Sequence, residues 1–160
     1  MDIDSTDAKI LEALQRDGRA SHSAIAEEVG LSQPSVHERI KKLEHRGVIK
    51  GYTAILDPEV LDLGVLAFIS ARFNRYETED VAGALMEVPN VLEVHHVAGE
   101  DCLLIKVRCH APADLEQILG RIWRSGAISG TKTTIAFSSY KETTVLPVEG
   151  CMPEAEVASV

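Results

Sequence analysis

The sequence predicts a two-domain α/β protein: a winged helix-turn-helix of three helices plus a strand, joined to a ferredoxin-like βαββαβ domain. Three observations carry that prediction. Apolar residues recur three and four apart up to about residue 45, the spacing of one helix face. From Val65 onward the rhythm changes to short apolar runs of strand length interleaved with two helix-patterned stretches. The charge is also split, because residues 1–50 hold nine acids against eight bases whereas residues 51–160 hold sixteen against eight.

The first helix carries Ile10, Leu11 and Leu14 after a cap at Asp4 or Ser5, and Gly18 closes it. Ser21 or Ser23 caps a short second helix with Ile25, Ala26 and Val29, stopped by Gly30. Ser32 caps the third, where Pro34 is tolerated because first-turn N–H groups lack helical partners anyway. Val36, Ile40 and Leu43 share its buried face. Only "GLS" separates the last two helices, so they must cross steeply, as in a helix-turn-helix; Ala26 is small enough for the approach and Leu31 plugs it. After Gly47, "VIKGYTAIL" alternates well enough for a strand, either a wing or a strand leading out of the domain. The expected domain is residues 1–52, followed by a connector over 53–64 broken by Pro58 and Gly64.

In residues 65–142, "VLAFISARF" is a buried-type strand, "EDVAGALMEV" a short helix ending at Pro89, and "VLEVHHVA" and "CLLIKVRC" are strands about the turn "GED". "ADLEQILGRIWR" is an amphipathic helix with Leu115, Ile118, Leu119 and Ile122 on one stripe, and "TKTTIAFSSY" is the final strand. That order makes a four-stranded antiparallel sheet with helices on one face. Apolar residues on both parities of "VLAFI" and "CLLI" predict that a partner subunit covers the other. Residues 143–160 are expected to form a loosely held tail.

The chain has 160 residues, 45% hydrophobic and 26% charged, with a formal net charge of −9. No apolar run approaches the roughly 18 residues of a membrane helix. The acidic, polar N-terminus is no secretory signal, and three cysteines without a C-x-x-C pair read as reduced thiols, which point to the cytoplasm. Against this acidic background, Ser32–Tyr52 carries Arg39, Lys41, Lys42, Arg46 and Lys50 with only Glu38 and Glu44 in opposition. Phosphate is repelled by the acidic half, so contact with double-stranded DNA belongs to this segment.

Three motifs in order, "IDSTDAKILEALQRDGR", "IAEEVGLSQPSVHERIKKLEHRGVIKGY" and "VAGEDCLLIKVR", resemble the Lrp/AsnC (feast/famine) family of transcriptional regulators from about Ile3 to Tyr140. The resemblance implies that Gln33–Lys42 is a recognition helix, with Ser32, Gln33, Ser35, His37 and Glu38 near base edges. Lys41, Lys42 and Lys50 suit phosphate. Arg39 lies close to the buried stripe and is expected to brace the domain. The second half then resembles the amino-acid-responsive RAM domain, implying homodimers through the sheet and rings such as octamers. It also implies an amino-acid effector bound between dimers near Val97–Cys102.

For that effector His95, Val97, Gly99, Glu100, Asp101, Cys102, Thr133 and Ser138 are the candidates. The carboxylates would accept from its ammonium, the hydroxyls would donate to its carboxylate, and Gly99 would admit close backbone approach. The loop departs from a common family pattern in which aromatic and acidic residues alternate after the glycine. No cofactor is expected. Nor does any nucleophile elbow, P-loop, dinucleotide fingerprint or H-E-x-x-H motif suggest an enzyme. Two further readings are a metal-responsive regulator using His95, His96 and Cys102, and a DNA-architectural factor of the same fold that answers to no ligand.

Overall fold

In the computed structural model the described residues are 3–73, 83, 85–99, 103–124 and 128–148. They form two compact units, one joining the chain up to Ile55 with Thr143 onward, the other spanning Leu56–Glu142.

The first unit holds α1 (Ser5–Arg16), α2 (His22–Val29) and α3 (Gln33–His45). Each start is capped by the residue type that satisfies orphan N–H groups. The Asp7 N–H donates to Asp4 Oδ1 at 2.7 Å, Ala24 to Ser21 Oγ at 3.2 Å, and Ser35 to Ser32 Oγ at 3.3 Å. Gly30 ends α2 at φ 70°, a left-handed conformation a side chain would strain, and so turns the chain within two residues into α3. Ile10, Ile25, Val36, Ile40 and Leu43 meet in one core, the last three on the predicted stripe of α3. Each such side chain contributes about 1.5–3 kcal/mol by leaving water.

The strand expected over Val48–Leu56 is absent: this stretch carries no ladder, and Ile55 and Leu56 are exposed. Alternation makes a segment able to be a strand, but a strand needs an edge to pair with, and a single chain offers none here. The segment is held instead by Tyr52, whose hydroxyl donates to Glu44 Oε1 at 3.1 Å. The expected tail differs as well. Val148 lies in the helical core, and Leu146 exchanges two hydrogen bonds with the Gln15 amide, accepting at 3.0 Å and donating at 2.7 Å. Valine, leucine and proline in "TTVLPV" supply apolar surface that the polar residues around them conceal from a compositional reading.

The second unit contains β1 (Val65–Phe73), β2 (Val91–His96), β3 (Leu103–Cys109), α4 (Pro112–Trp123) and β4 (Ile128–Ile135). The sheet order is β2-β3-β1-β4, every neighbouring pair antiparallel, as the βαββαβ reading requires. Of the helix expected over Glu79–Val88, residues 83, 85 and 86 are described and helical; most of the remainder lies outside the described residues. β3 alternates fully and partly buried positions. Leu103, Ile105, Val107 and Cys109 pack with Ala67, Ile69 and Ala71 of β1 beneath Leu115, Ile118 and Ile122 of α4. Burial pushes the Cys109 thiol up, with Asp114 adding to the effect. β4 ends at Ile135, five residues before the expected end, because its partner runs out: Ile135 pairs with Ala67, and β1 begins at Val65. Phe137 and Tyr140 beyond it are exposed.

Candidate nucleic-acid and effector sites

Capping at Ser32 fixes where α3 begins, and the Val36/Ile40/Leu43 stripe fixes which side turns inward. Both follow from local sequence, and together they leave Ser32, Gln33, Ser35, His37, Glu38, Lys41 and Lys42 exposed, with Lys50 exposed beyond the helix. Lys41, Lys42 and Lys50 make no ion pair among the described residues, so their charges are available to phosphate. The Ser32 and Ser35 hydroxyls lie 2.8 Å apart, which presents two hydrogen-bonding groups in fixed relation. The rings of His22 and His37 are 5.1 Å apart, linking the start of α2 to the exposed side of α3.

Arg39 has a different task. Its Nη1 donates to Asp4 Oδ2 and to Asp7 Oδ1, each at 2.7 Å. Asp4 thus uses one oxygen to cap α1 and the other to grip α3. Burial would raise the Asp4 carboxyl, but the Asp7 N–H and the Arg39 guanidinium outweigh it and hold the group below its usual range. The same two aspartates raise the pKa of Arg39. The expected brace is present as a two-carboxylate ion pair at the foot of a groove of about 610 Å³ beside Pro34, Ser35 and Lys42.

In the second unit His95, Val97 and Gly99 are described; Glu100, Asp101 and Cys102 lie outside the described residues. Gly99 adopts φ 132°, a conformation open to glycine. His95 is exposed and pairs with Leu104, on the face away from α4. Thr133 pairs with Ile69 and so sits on the α4 side of β4, while Ser138 is exposed past the end of that strand. β2 and β4 are opposite edges of the sheet, three strand spacings or about 14 Å apart. One chain therefore does not bring the two halves of the candidate effector set together, because topology separates what the sequence order left open. His95 and His96 face opposite sides, and among the described residues no three His, Cys, Asp or Glu side chains cluster to hold a metal ion.

The face of the sheet away from α4 holds a polar network that residue patterns did not single out. His95 Nε2 lies 3.1 Å from Glu93 Oε2, and Lys106 Nζ donates to Glu93 Oε1 at 2.9 Å. Lys106 also reaches Glu142 at 2.6 Å, and Arg108 Nη2 donates to the other oxygen of Glu142 at 2.6 Å. Hydrogen bonds from Lys106 hold both Glu142 and Glu93 below the usual carboxylate range. The available signal was the alternation Lys106-x-Arg108 on a strand of an otherwise acidic domain, which places both cations on one face.

Comparison with known proteins follows the same division. The profile of the AsnC-type helix-turn-helix domain matches residues 3–44, and that of the Lrp/AsnC ligand binding domain matches residues 66–146. The HTH-type transcriptional regulator FL11 of Pyrococcus horikoshii is 37% identical over 147 residues, covering 92% of this chain and 97% of its own. The leucine-responsive regulatory protein of Escherichia coli K12 is 32% identical over 152 residues, covering 92% and 93% respectively. A Neisseria meningitidis transcriptional regulator crystallised with L-Met superposes with a TM-score of 0.88 at 29% identity, covering 94% of this chain and 99% of that one.

Proposed function

Since the chain belongs to the Lrp/AsnC family of DNA-binding transcriptional regulators, we propose that a homodimer presents two copies of α3 to one face of duplex DNA and that an amino acid tunes the assembly. Ser35, His37 and their neighbours at the start of α3 read base edges, while Lys41, Lys42 and Lys50 grip phosphate. Two helices on one DNA face call for half-sites roughly 34 Å apart or a multiple of it. The amino acid is held near Val97–Cys102 of one chain, and the hydroxyls of Thr133 and Ser138 come from another. That division of labour explains candidates on opposite sheet edges. Dimers joining into a ring such as an octamer supply avidity that one small helix-turn-helix lacks. The ligand acts by preferring one assembly over another. The relatives are regulators, and no catalytic role is assigned; the protein works in the cytoplasm. Among the described residues no helix is long and apolar enough to cross a membrane.

The observation that carries this reading is that Lys41 and Lys42, which make no ion pair among the described residues, stand beside the exposed polar start of α3 in a chain whose charge is otherwise acidic. The test is a gel shift on the DNA upstream of the protein's own gene, with and without each of the amino acids, alongside light scattering for assembly size. A selective shift at moderate salt that one amino acid changes supports the proposal. Selective binding that no amino acid alters points to an architectural factor, and absence of selective binding refutes the DNA role.

A further inference from the structure

We infer that Arg108 is a positioning residue through which the ligand-binding unit governs the DNA-binding unit, because its one guanidinium holds both of the chain segments that join them. The chain passes between the units twice, at Ile55/Leu56 and at Glu142/Thr143. Arg108 Nη1 donates to the carbonyl of Leu63, in the incoming connector, at 3.2 Å. Its Nη2 donates to Glu142, the residue at which the outgoing chain leaves, at 2.6 Å. Neither Leu63 nor Glu142 lies in a strand of the sheet, and Arg108 contacts both from a side chain only 11% exposed.

The same residue is tied to the strand pair that leads to the effector loop. Its backbone N–H donates to Asn90 O at 3.0 Å, and the Asn90 amide donates back to Arg108 O at 2.8 Å, fixing it to the residue before β2. Two positions earlier on β3, Lys106 spans Glu93 on β2 and Glu142, and Glu93 contacts His95. Polar side-chain contacts therefore run without a break from His95, near the end of β2, through Glu93, Lys106, Glu142 and Arg108 to both connectors. A small change in the twist or register of the β2–β3 pair displaces the guanidinium and with it two segments at once. The guanidinium's fixed fork is what allows this, since a lysine at the same place could satisfy one partner at a time.

This inference rests on the reading that an amino acid is sensed beside β2. Its test uses the full-length protein and the variants Arg108→Met, Arg108→Lys and Glu142→Gln. In ligand-free protein, Arg108→Met is expected to speed amide hydrogen exchange about tenfold in both 59–64 and 139–148 while leaving the β1 and β3 amides unchanged. Arg108→Lys is expected to release 59–64 alone, and Glu142→Gln to release 139–148 alone. Unchanged exchange in both segments of Arg108→Met overturns the inference. The second arm measures DNA affinity with and without each L-amino acid, on a duplex selected from a random pool by the unmodified protein. Arg108→Met should still show the ligand's thermal shift, yet its DNA affinity should change less than about twofold on adding ligand, against the 5-fold or more typical of coupled sites. If no amino acid affects DNA binding by the unmodified protein, the effector reading falls and takes the role of Arg108 with it. If one does and Arg108→Met retains the full effect, the role of Arg108 alone falls.

Discussion

Replacing Arg39 with Met removes a single cation that joins two helices, and the structure sets the size of the loss. The guanidinium is 34% exposed, and its partners differ: Asp4 is 46% exposed and Asp7 12%. The Asp4 contact is largely solvated and is worth no more than about 0.2–1 kcal/mol. Asp7 is nearly dry, and leaving its carboxylate without a donor costs about 1–3 kcal/mol. Together they predict a loss of about 2 kcal/mol, or roughly 1 M urea in the midpoint for a small unit. Trp123, the only tryptophan, lies on α4 in the other unit, so its fluorescence is an internal control. The transition seen by far-ultraviolet circular dichroism should move and the Trp123 transition should not.

The pH dependence gives the sharper check. Asp4 titrates lower in the folded state than in the unfolded one, so its contribution is present above the unfolded value of about 3.8 and disappears as pH falls through the lower folded value. The share of the gap between the original protein and Arg39→Met that comes from Asp4 should therefore be full at neutral pH and shrink as pH falls below about 3.8. A gap that persists undiminished at pH 3, or a midpoint that does not move at pH 7, refutes the assignment of Arg39 to bracing.

Other substitutions probe the remaining contacts. On the proposed reading, changing Lys41 and Lys42 together to Gln removes two phosphate contacts per helix-turn-helix and four per bound dimer, so anisotropy titrations over 50–200 mM salt should show the log–log slope shallower by about 3.6, for every sequence tried. Ser35→Ala or His37→Ala should alter which bases are preferred, by about 1–3 kcal/mol at the affected position, in a selection from random duplexes with the salt slope retained. Val148→Asp places a carboxylate in the helical core and should destabilise α1–α3 by at least about 2 kcal/mol in the circular dichroism transition, with the Trp123 signal again as control.

What the sequence discloses here is what is encoded locally. The caps at Asp4, Ser21 and Ser32, the left-handed Gly30 and the α3 stripe all depend on residues within one or two turns, and each stands where its pattern places it. β1 likewise spans the run of apolar residues that announces it. Elements that depend on a distant partner are less legible. Alternation at Val48–Leu56 predicts a strand that one chain cannot pair, and β4 stops where β1 begins, not where its own pattern stops. The side chain of Arg39 could be placed near the buried stripe, but its two carboxylate partners lie 35 and 32 residues away. Topology, which no single stretch contains, is also what parts His95 from Thr133.

The bond between Gln15 and Leu146 spans 131 residues of sequence and has a consequence for biosynthesis. The three helices leave the ribosome first, yet the segment that closes their core is still untranslated while the whole sheet is being made. A polypeptide ending before residue 143 would thus carry α1–α3 without the contacts of Leu146 and Val148 that close their core.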